Sequence, residues 1–413
     1  MDLFWLKWFV SIVSVYFSRL FTQDQSAVYC LIVKSSITST LLDALVSGKF
    51  SQPASYISVI MKKVDRILVV RFSSLGDIIL LTPIFREIKN IFPNATIDFL
   101  TASTFAGICQ NNPHIDQIIQ LDRKKGNEDF SRIRKLCKAN RYDLIFDAHQ
   151  SLRSRLLLTN LHGPFYRYRS GIYCIDKRSF KRNILLLTGI NFLKNAVAQR
   201  EAYCLLLNSF SELEQLVTNT ELFPGELEIQ RVQEIFSKEQ LASENLVAIG
   251  PGSSFPGKSW PKEYYLELTK LLQNEGYQVV ILGSPGEIEP KFIYDRSRQK
   301  PLNLAGELSI LESAEILRHC RLTISNDSAI VHMSEAMATP AISIFGPTVK
   351  EFGYSPYLKD SQRIEISLKC RPCSRNGKGE CKIRIKRQCL RDISVNKVMD
   401  SALQILKGHV TNK

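Results

Sequence analysis

The stretch Ser325-Asn326-Asp327-Ser328-Ala329-Ile330-Val331-His332-Met333-Ser334-Glu335-Ala336-Met337-Ala338-Thr339-Pro340-Ala341-Ile342-Ser343-Ile344-Phe345-Gly346 decides how this chain reads. An apolar strand with Leu322 and Ile324 ends in Asn326-Asp327-Ser328, and a small-residue helix begins at once. The helix carries His332 about one turn in and stops before Pro340. A second apolar strand, Ile342 to Phe345, then ends in Gly346-Pro347. A helix N-terminus at the carboxyl end of a parallel strand offers unpaired N–H groups and a positive dipole end to an anion. In open α/β sheets the ligand crevice lies at those strand ends. The segment reads as the seat of a phosphorylated ligand.

Outward from it, strand, loop and helix alternate in two similar halves. Arg66–Phe72, Thr96–Leu100, Gln117–Leu121 and Asp143–Asp147 read as strands, with helical spacing over Asp77–Phe92 and 129–139 and a short helix near 103–110. The cycle restarts at Leu246–Gly250 and continues through Val279–Leu282, Leu302–Leu304 and 321–325. This alternation implies parallel sheets with helices on both faces. Residues 218–245, acidic and polar with Pro224-Gly225, read as an interdomain linker. The expected architecture is α/β: Rossmann-like doubly wound domains over 61–235 and 245–413, facing a central cleft. The apolar spacing of Val395–Leu406 predicts a final helix crossing back to brace the two. Residues 1–60 read as an extension outside these domains. Phe4–Phe21 is apolar but interrupted by Lys7 and Arg19, too broken for a confident membrane span, with an interfacial amphipathic anchor as the alternative.

A chain of 413 residues with 45% hydrophobic and 23% charged content is an ordinary globular sequence. Its net charge of +14 is less ordinary and favours an anionic partner. Residues 1–60 hold four cations against three acids, so the charge sits on the folded body. Between 151 and 185 lie Arg153, Arg155, Arg167, Arg169, Lys177, Arg178, Lys181 and Arg182, opposed only by Asp176. This is a solvated loop face or a docking surface for an anionic acceptor. No zinc finger, ribonucleoprotein-type aromatic motif or basic zipper supports a nucleic-acid partner.

Three further loops carry chemistry. Arg71-Phe72-Ser73-Ser74-Leu75-Gly76-Asp77 is neither a Walker motif nor G-x-G-x-x-G, which counts against P-loop NTPases and dehydrogenases. Asp77 at the helix start is either an N-cap or a general base. Gly250-Pro251-Gly252-Ser253-Ser254 leading to Lys258-Ser259-Trp260-Pro261 suits a phosphate cradle, although a plain turn shares its composition. Glu287, after Gly283-Ser284-Pro285-Gly286, can accept from a ribose or base, or cap a helix.

In this order the four loops resemble glycosyltransferase family 9, the ADP-heptose:lipopolysaccharide heptosyltransferases. The resemblance runs from about Ile67 to Val398. It rests on Ser73-Ser74-Leu75-Gly76-Asp77 with Thr82-Pro83, Gly252-Ser253-Ser254, Lys258-Ser259-Trp260-Pro261, Asn326-Asp327-Ser328-Ala329 ahead of His332, Phe345-Gly346-Pro347-Thr348 and Cys370-Arg371-Pro372-Cys373. It implies a GT-B fold and an inverting, metal-independent transfer needing no cofactor beyond an ADP-sugar donor. Asp77 would be the general base. Ser253, Ser254 and Lys258 would hold the donor diphosphate beside Asp327, Ser328 and His332, and Glu287 would contact the nucleoside. Ser73, Ser74, Gly76, Arg153 and Arg155 would meet a lipid-linked anionic saccharide acceptor. The expected location is cytoplasmic, peripheral on the inner membrane's cytoplasmic face. Ala329 stands where glycine is more usual, which bears on how closely a donor approaches. The other readings are an epimerase or dehydrogenase, disfavoured by the missing motifs, and a non-catalytic nucleotide-binding protein at an anionic membrane surface.

Of the 10 cysteines, Cys370, Cys373, Cys381 and Cys389 form C-x2-C-x7-C-x7-C. Their spacing admits a structural zinc site, a disulfide or free thiols. The other six are scattered, as in a reducing compartment.

Overall fold

The computed structural model describes residues 64–159, 171–381 and 383–408; the expectations for residues 1–60, Arg167 and Arg169 lie outside them. Strands β1 (Arg66–Val70), β2 (Thr96–Ala102), β3 (Gln117–Leu121), β4 (Leu144–Asp147) and β5 (Gly171–Cys174) form a parallel sheet in the order β3-β2-β1-β4-β5. Strands β6 (Leu246–Gly250), β7 (Gln278–Ile281), β8 (Leu302–Asn303), β9 (Leu322–Asn326), β10 (Ala341–Ile344) and β11 (Gln362–Ile364) form a second, in the order β11-β10-β9-β6-β7-β8. Both are doubly wound, and each reverses strand order once: at β1/β4 and at β6/β9. Those switch points open a crevice at the strands' carboxyl ends.

Continuous apolar strands suit sheets covered on both faces, because successive side chains point to opposite sides. Ile67 and Val69 of β1 enter one buried cluster, and Leu68 and Val70 enter another. Leu246 and Ala248 of β6 join the first of these, while Val247 and Ile249 face a third. One core therefore runs through both lobes, with Ile78 and Leu81 of the first packed with Leu317 and Met333 of the second.

Several expectations need correcting. The helix expected over 77–92 is two, Leu75–Leu81 and Pro83–Ile91. Pro83 lacks an N–H and takes the first position of a new helix. Residues 103–109 form a 3-10 helix. The expected linker contains a helix, Glu226–Glu239, which packs on helix Ile310–Arg318 of the second lobe through Val232 and Ile235. The final helix, Val395–Gly408, does not serve as the brace. Its apolar face joins the core on the outer side of the second sheet, against helix Lys262–Asn274.

The lobes are joined elsewhere. Helix Leu75–Leu81 packs on helix Ala329–Ala336. Gly76 makes that approach possible, since a Cβ there would lie 3.1 Å from His332 Cδ2 and 3.5 Å from Ala329 Cα. A second seam ties the 350–357 segment to the first lobe. Gln199 N donates to Gly353 O at 2.8 Å, Arg182 Nη2 to Phe352 O at 2.9 Å, and Thr220 N to Tyr357 Oη at 3.1 Å.

Candidate active site

β1 delivers the first loop to the crevice, and helix Leu75–Leu81 starts with a capping box. Asp77 is its third residue and not the N-cap itself. Its Oδ2 accepts from Ser74 Oγ at 2.8 Å and Ser74 N at 3.3 Å. Local sequence accounts for that much and for Arg71, in the same loop; the two tyrosine partners come from afar. Arg71 Nη2 pairs with Oδ2 at 2.7 Å, and Tyr203 and Tyr354 donate to Oδ1 at 3.1 and 3.0 Å. Tyr354 belongs to the second lobe, so the carboxylate lies on the seam. Burial alone would raise the Asp77 carboxyl. The Arg71 guanidinium outweighs it, with Ser74 and Tyr354 adding hydrogen bonds, and holds the group at about 2. Arg71 is itself buried, donates to Ala148 O at 2.6 Å and lies 5.5 Å from the centre of the Tyr203 ring.

Across the crevice, Asn326 at the end of β9 holds the second loop. Its Nδ2 donates to Pro251 O at 2.8 Å and Gly252 O at 3.0 Å, and its Oδ1 accepts from Trp260 N at 2.9 Å. Lys258 Nζ meets Asp327 Oδ2 at 2.6 Å, and Thr348 Oγ1 donates to the same oxygen at 2.7 Å. Ser253 Oγ turns back to Phe255 O at 3.2 Å, and Ser328 Oγ contacts Ser325 Oγ at 3.0 Å. Ser254 begins the bend that leads into the 3-10 helix Pro256–Lys258.

His332 Nδ1 and Glu287 Oε2 are among the buried side-chain atoms of the described residues that lack a hydrogen-bond partner. Burial, reinforced by Lys258, lowers the His332 imidazole to about 4 despite Asp327 and Asp77, so the ring is neutral near pH 7. Burial raises the Glu287 carboxyl, and Glu289 adds to it. Its carboxylate fills the space a side chain at Gly252 or Gly283 would need, as Cβ atoms there would lie 1.9 and 2.4 Å from Oε2. A buried atom without a partner is costly, by roughly 1–3 kcal/mol, unless something polar occupies the site.

Asp77, Gly76, His332, Asp327 and Lys258 are thus brought to one seam. Arg153 and Arg155 are exposed on helix Leu152–Leu158, away from direct contact with Asp77. Their influence passes through intermediaries. Burial lowers Arg123 and Arg153 lowers it further, while Arg123 Nη2 donates to Ser73 Oγ at 3.3 Å. Lys177 is lowered by burial and by Arg71, and lies in the fields of Asp77 and Arg155. Sequence reading assigned no role to Arg71, Tyr203, Tyr354, Asn326 or Thr348. Arg71, Asn326 and Thr348 stand inside stretches already singled out, whereas Tyr203 and Tyr354 carried no local signal.

The C-terminal thiols gather without closing. Cys373 is raised by burial and by Cys370 and Cys381, and Cys389 is pushed to about 11 by burial, then by the other three. Among the described residues no cysteine is in a disulfide, and no group of three His, Cys, Asp or Glu is spaced to hold a metal. The segment's evident task is mechanical: Arg371 donates to Gly346 O at 2.6 Å and Thr348 O at 2.8 Å, fixing the loop that holds Asp327.

Two doubly wound lobes joined at facing strand ends define the GT-B class. The family model for glycosyltransferase family 9 (heptosyltransferase) matches residues 130–383, and the chain belongs to that family. It is 26% identical over 320 residues to lipopolysaccharide heptosyltransferase 2 of Escherichia coli K12, covering 72% of this chain and 87% of that protein. Its fold is similar to a family 9 glycosyltransferase from Veillonella parvula, with a TM-score of 0.69 at 20% identity over 84% of this chain and 99% of the other. It is also similar to E. coli ADP-heptose lps heptosyltransferase II, with a TM-score of 0.62 at 22% identity over 83% and 99%. The protein is a glycosyltransferase.

Proposed function

We propose that this enzyme transfers a heptose from ADP-heptose to a lipid-linked anionic saccharide of the lipopolysaccharide inner core, with inversion and without a metal, at the cytoplasmic face of the inner membrane. The observation that carries this reading is an ionised carboxylate, Asp77, held on the seam opposite the Lys258–Asp327 pair. The names of the E. coli relatives supply the donor and acceptor classes.

In this mechanism the acceptor hydroxyl replaces Tyr354 as a donor to Asp77 Oδ1 and gives up its proton there as it attacks the anomeric carbon. The nucleoside diphosphate departs from the opposite face through an oxocarbenium-like state, as in inverting glycosidases. Negative charge grows on the leaving phosphate, where Lys258 and the N-terminus of helix Ala329–Ala336 offset it. His332 adds a neutral ring nitrogen, and Glu287 Oε2 suits a ribose hydroxyl. Arg123 and Lys177, with Arg153 and Arg155 behind them, form the basic rim that receives acidic sugars.

A thermal-shift series with ADP-, GDP- and UDP-sugars tests the donor. ADP-heptose at a hundred times its Kd should stabilise the fold by about 2.7 kcal/mol. Equal stabilisation by the three nucleotides would contradict the ADP assignment. NMR of the product should show an inverted anomeric centre; retention would rule out single displacement. Lys258→Ala should weaken donor binding by about one to two orders of magnitude, because the diphosphate would then face an uncompensated Asp327. Lys258→Ala/Asp327→Asn should recover part of that loss. Unchanged affinity in the single variant would remove Lys258 from the site.

A further inference from the structure

Six of the eleven large apolar side chains exposed among the described residues fall between 152 and 192, and four of them, Phe180, Leu187, Ile190 and Phe192, lie on one helix and the turn that follows it. That helix is Ser179–Thr188. Phe180 and Leu187 lie two turns apart on one helical face and are 68% and 85% exposed, whereas Leu185 is the helix's buried anchor. Gly189, at φ 75°, ends the helix and turns the chain, after which Ile190 and Phe192 are 55% and 59% exposed. Cations are interleaved with these side chains. Arg178, Lys181 and Lys194 line a cavity of about 460 Å3 with Phe192, and Asp176 is its only carboxylate. Among the described residues no carboxylate pairs with Lys181 or Lys194.

We propose that this face, Phe180, Leu187, Ile190 and Phe192 with Arg178, Lys181 and Lys194, docks on an anionic phospholipid bilayer, its cavity receiving a lipid phosphate. The inference names the surface through which the proposed function meets its lipid-linked acceptor, and it rests on that reading. The cores of protein–protein interfaces are depleted of charge, whereas here Phe180 adjoins Lys181 in the chain and Phe192 shares its cavity with Arg178, Lys181 and Lys194. That mixture suits the boundary between headgroups and acyl chains, where apolar side chains insert and cations contact phosphates. No helix among the described residues is long and apolar enough to cross a membrane, so contact through this region is lateral. The face is also continuous with the acceptor side of the crevice. Lys177, one residue before Arg178, lies in the field of Asp77. Docking here holds a lipid-borne sugar near the seam without pulling its acyl chains from the bilayer.

Vesicle flotation of the full chain tests this, comparing phosphatidylcholine alone with phosphatidylcholine containing phosphatidylglycerol. The wild type should float with the anionic vesicles, and salt should weaken the association. Leu187→Ser/Phe192→Ser should reduce partitioning by at least about tenfold, from the apolar area lost. Lys181→Ala/Lys194→Ala should reduce it by roughly fivefold per lysine. Both variants should keep wild-type melting temperature, ADP-heptose affinity and transfer to detergent-dispersed acceptor. Equal binding to neutral vesicles overturns the proposal. So does wild-type partitioning by the variants, which would place the contact elsewhere, for instance in residues 1–60. A wild-type dimer in light scattering that Leu187→Ser/Phe192→Ser dissociates would overturn it too, by assigning the face to a second copy. If the wild type instead fails to transfer to dispersed acceptor, the glycosyl-transfer reading fails, independently of the flotation result.

Discussion

Asp77→Asn should lower kcat for sugar transfer by about 10²–10⁴-fold while donor affinity stays within a few-fold. Asparagine keeps the shape of the side chain and its hydrogen bond to Ser74, but it cannot take the acceptor's proton. The donor groups that matter, Lys258 and the loop held by Asn326, touch other atoms. The variant also leaves the buried Arg71 guanidinium opposite a neutral amide, so its fold should weaken. Arg71→Met/Asp77→Asn separates the two effects: stability should largely return, and activity should not. Steady-state kinetics beside donor titration decide the matter. A single variant retaining activity within about tenfold would remove Asp77 from the base role.

Arg71→Met alone should destabilise the protein by about 3–5 kcal/mol near neutral pH, because it strands a buried carboxylate. The pH dependence gives this expectation its sign. In the wild type the Asp77 carboxyl is held at about 2, below its ordinary 3.8. Its contribution to stability is therefore fully present above 3.8 and is lost as pH falls through 2. Without Arg71, burial dominates and lifts the carboxyl, so protonation now relieves the fold. The penalty of the substitution should shrink as pH falls from 7 toward 4, measured by urea unfolding. A penalty independent of pH would mean that Arg71 acts through packing on Tyr203 and its bond to Ala148, and not through charge.

The strands and the four loops were legible because both-face burial produces apolar runs, and because glycine, serine and charged residues punctuate their ends. Lys258 and Asp327 stand in such loops, and Asp77 and His332 in the opening turns of the helices that follow them, so their convergence followed from the topology. Tyr203 and Tyr354 did not. They reach Asp77 from 126 and 277 residues away, and nothing local distinguishes them from core tyrosines. β5 escaped notice because none of its four residues is fully buried. Helix Glu226–Glu239 was hidden by its polar composition, with only Val232 and Ile235 buried. The final helix shows the opposite limit: its apolar stripe announced a buried face but not which layer would bury it.

The tyrosine that crosses from one lobe to the other has a consequence for chimaeras. Recombining whole lobes between family members is an obvious route to new donor–acceptor pairings. In this protein a clean cut between the sheets would split a single hydrogen-bonded unit, since Asp77 and Arg71 travel with one half and Tyr354 with the other. A graft that respects this would exchange the 71–77 loop and the 350–357 strap together, with the glycine at 76 retained so that the imported helix can still lie against His332.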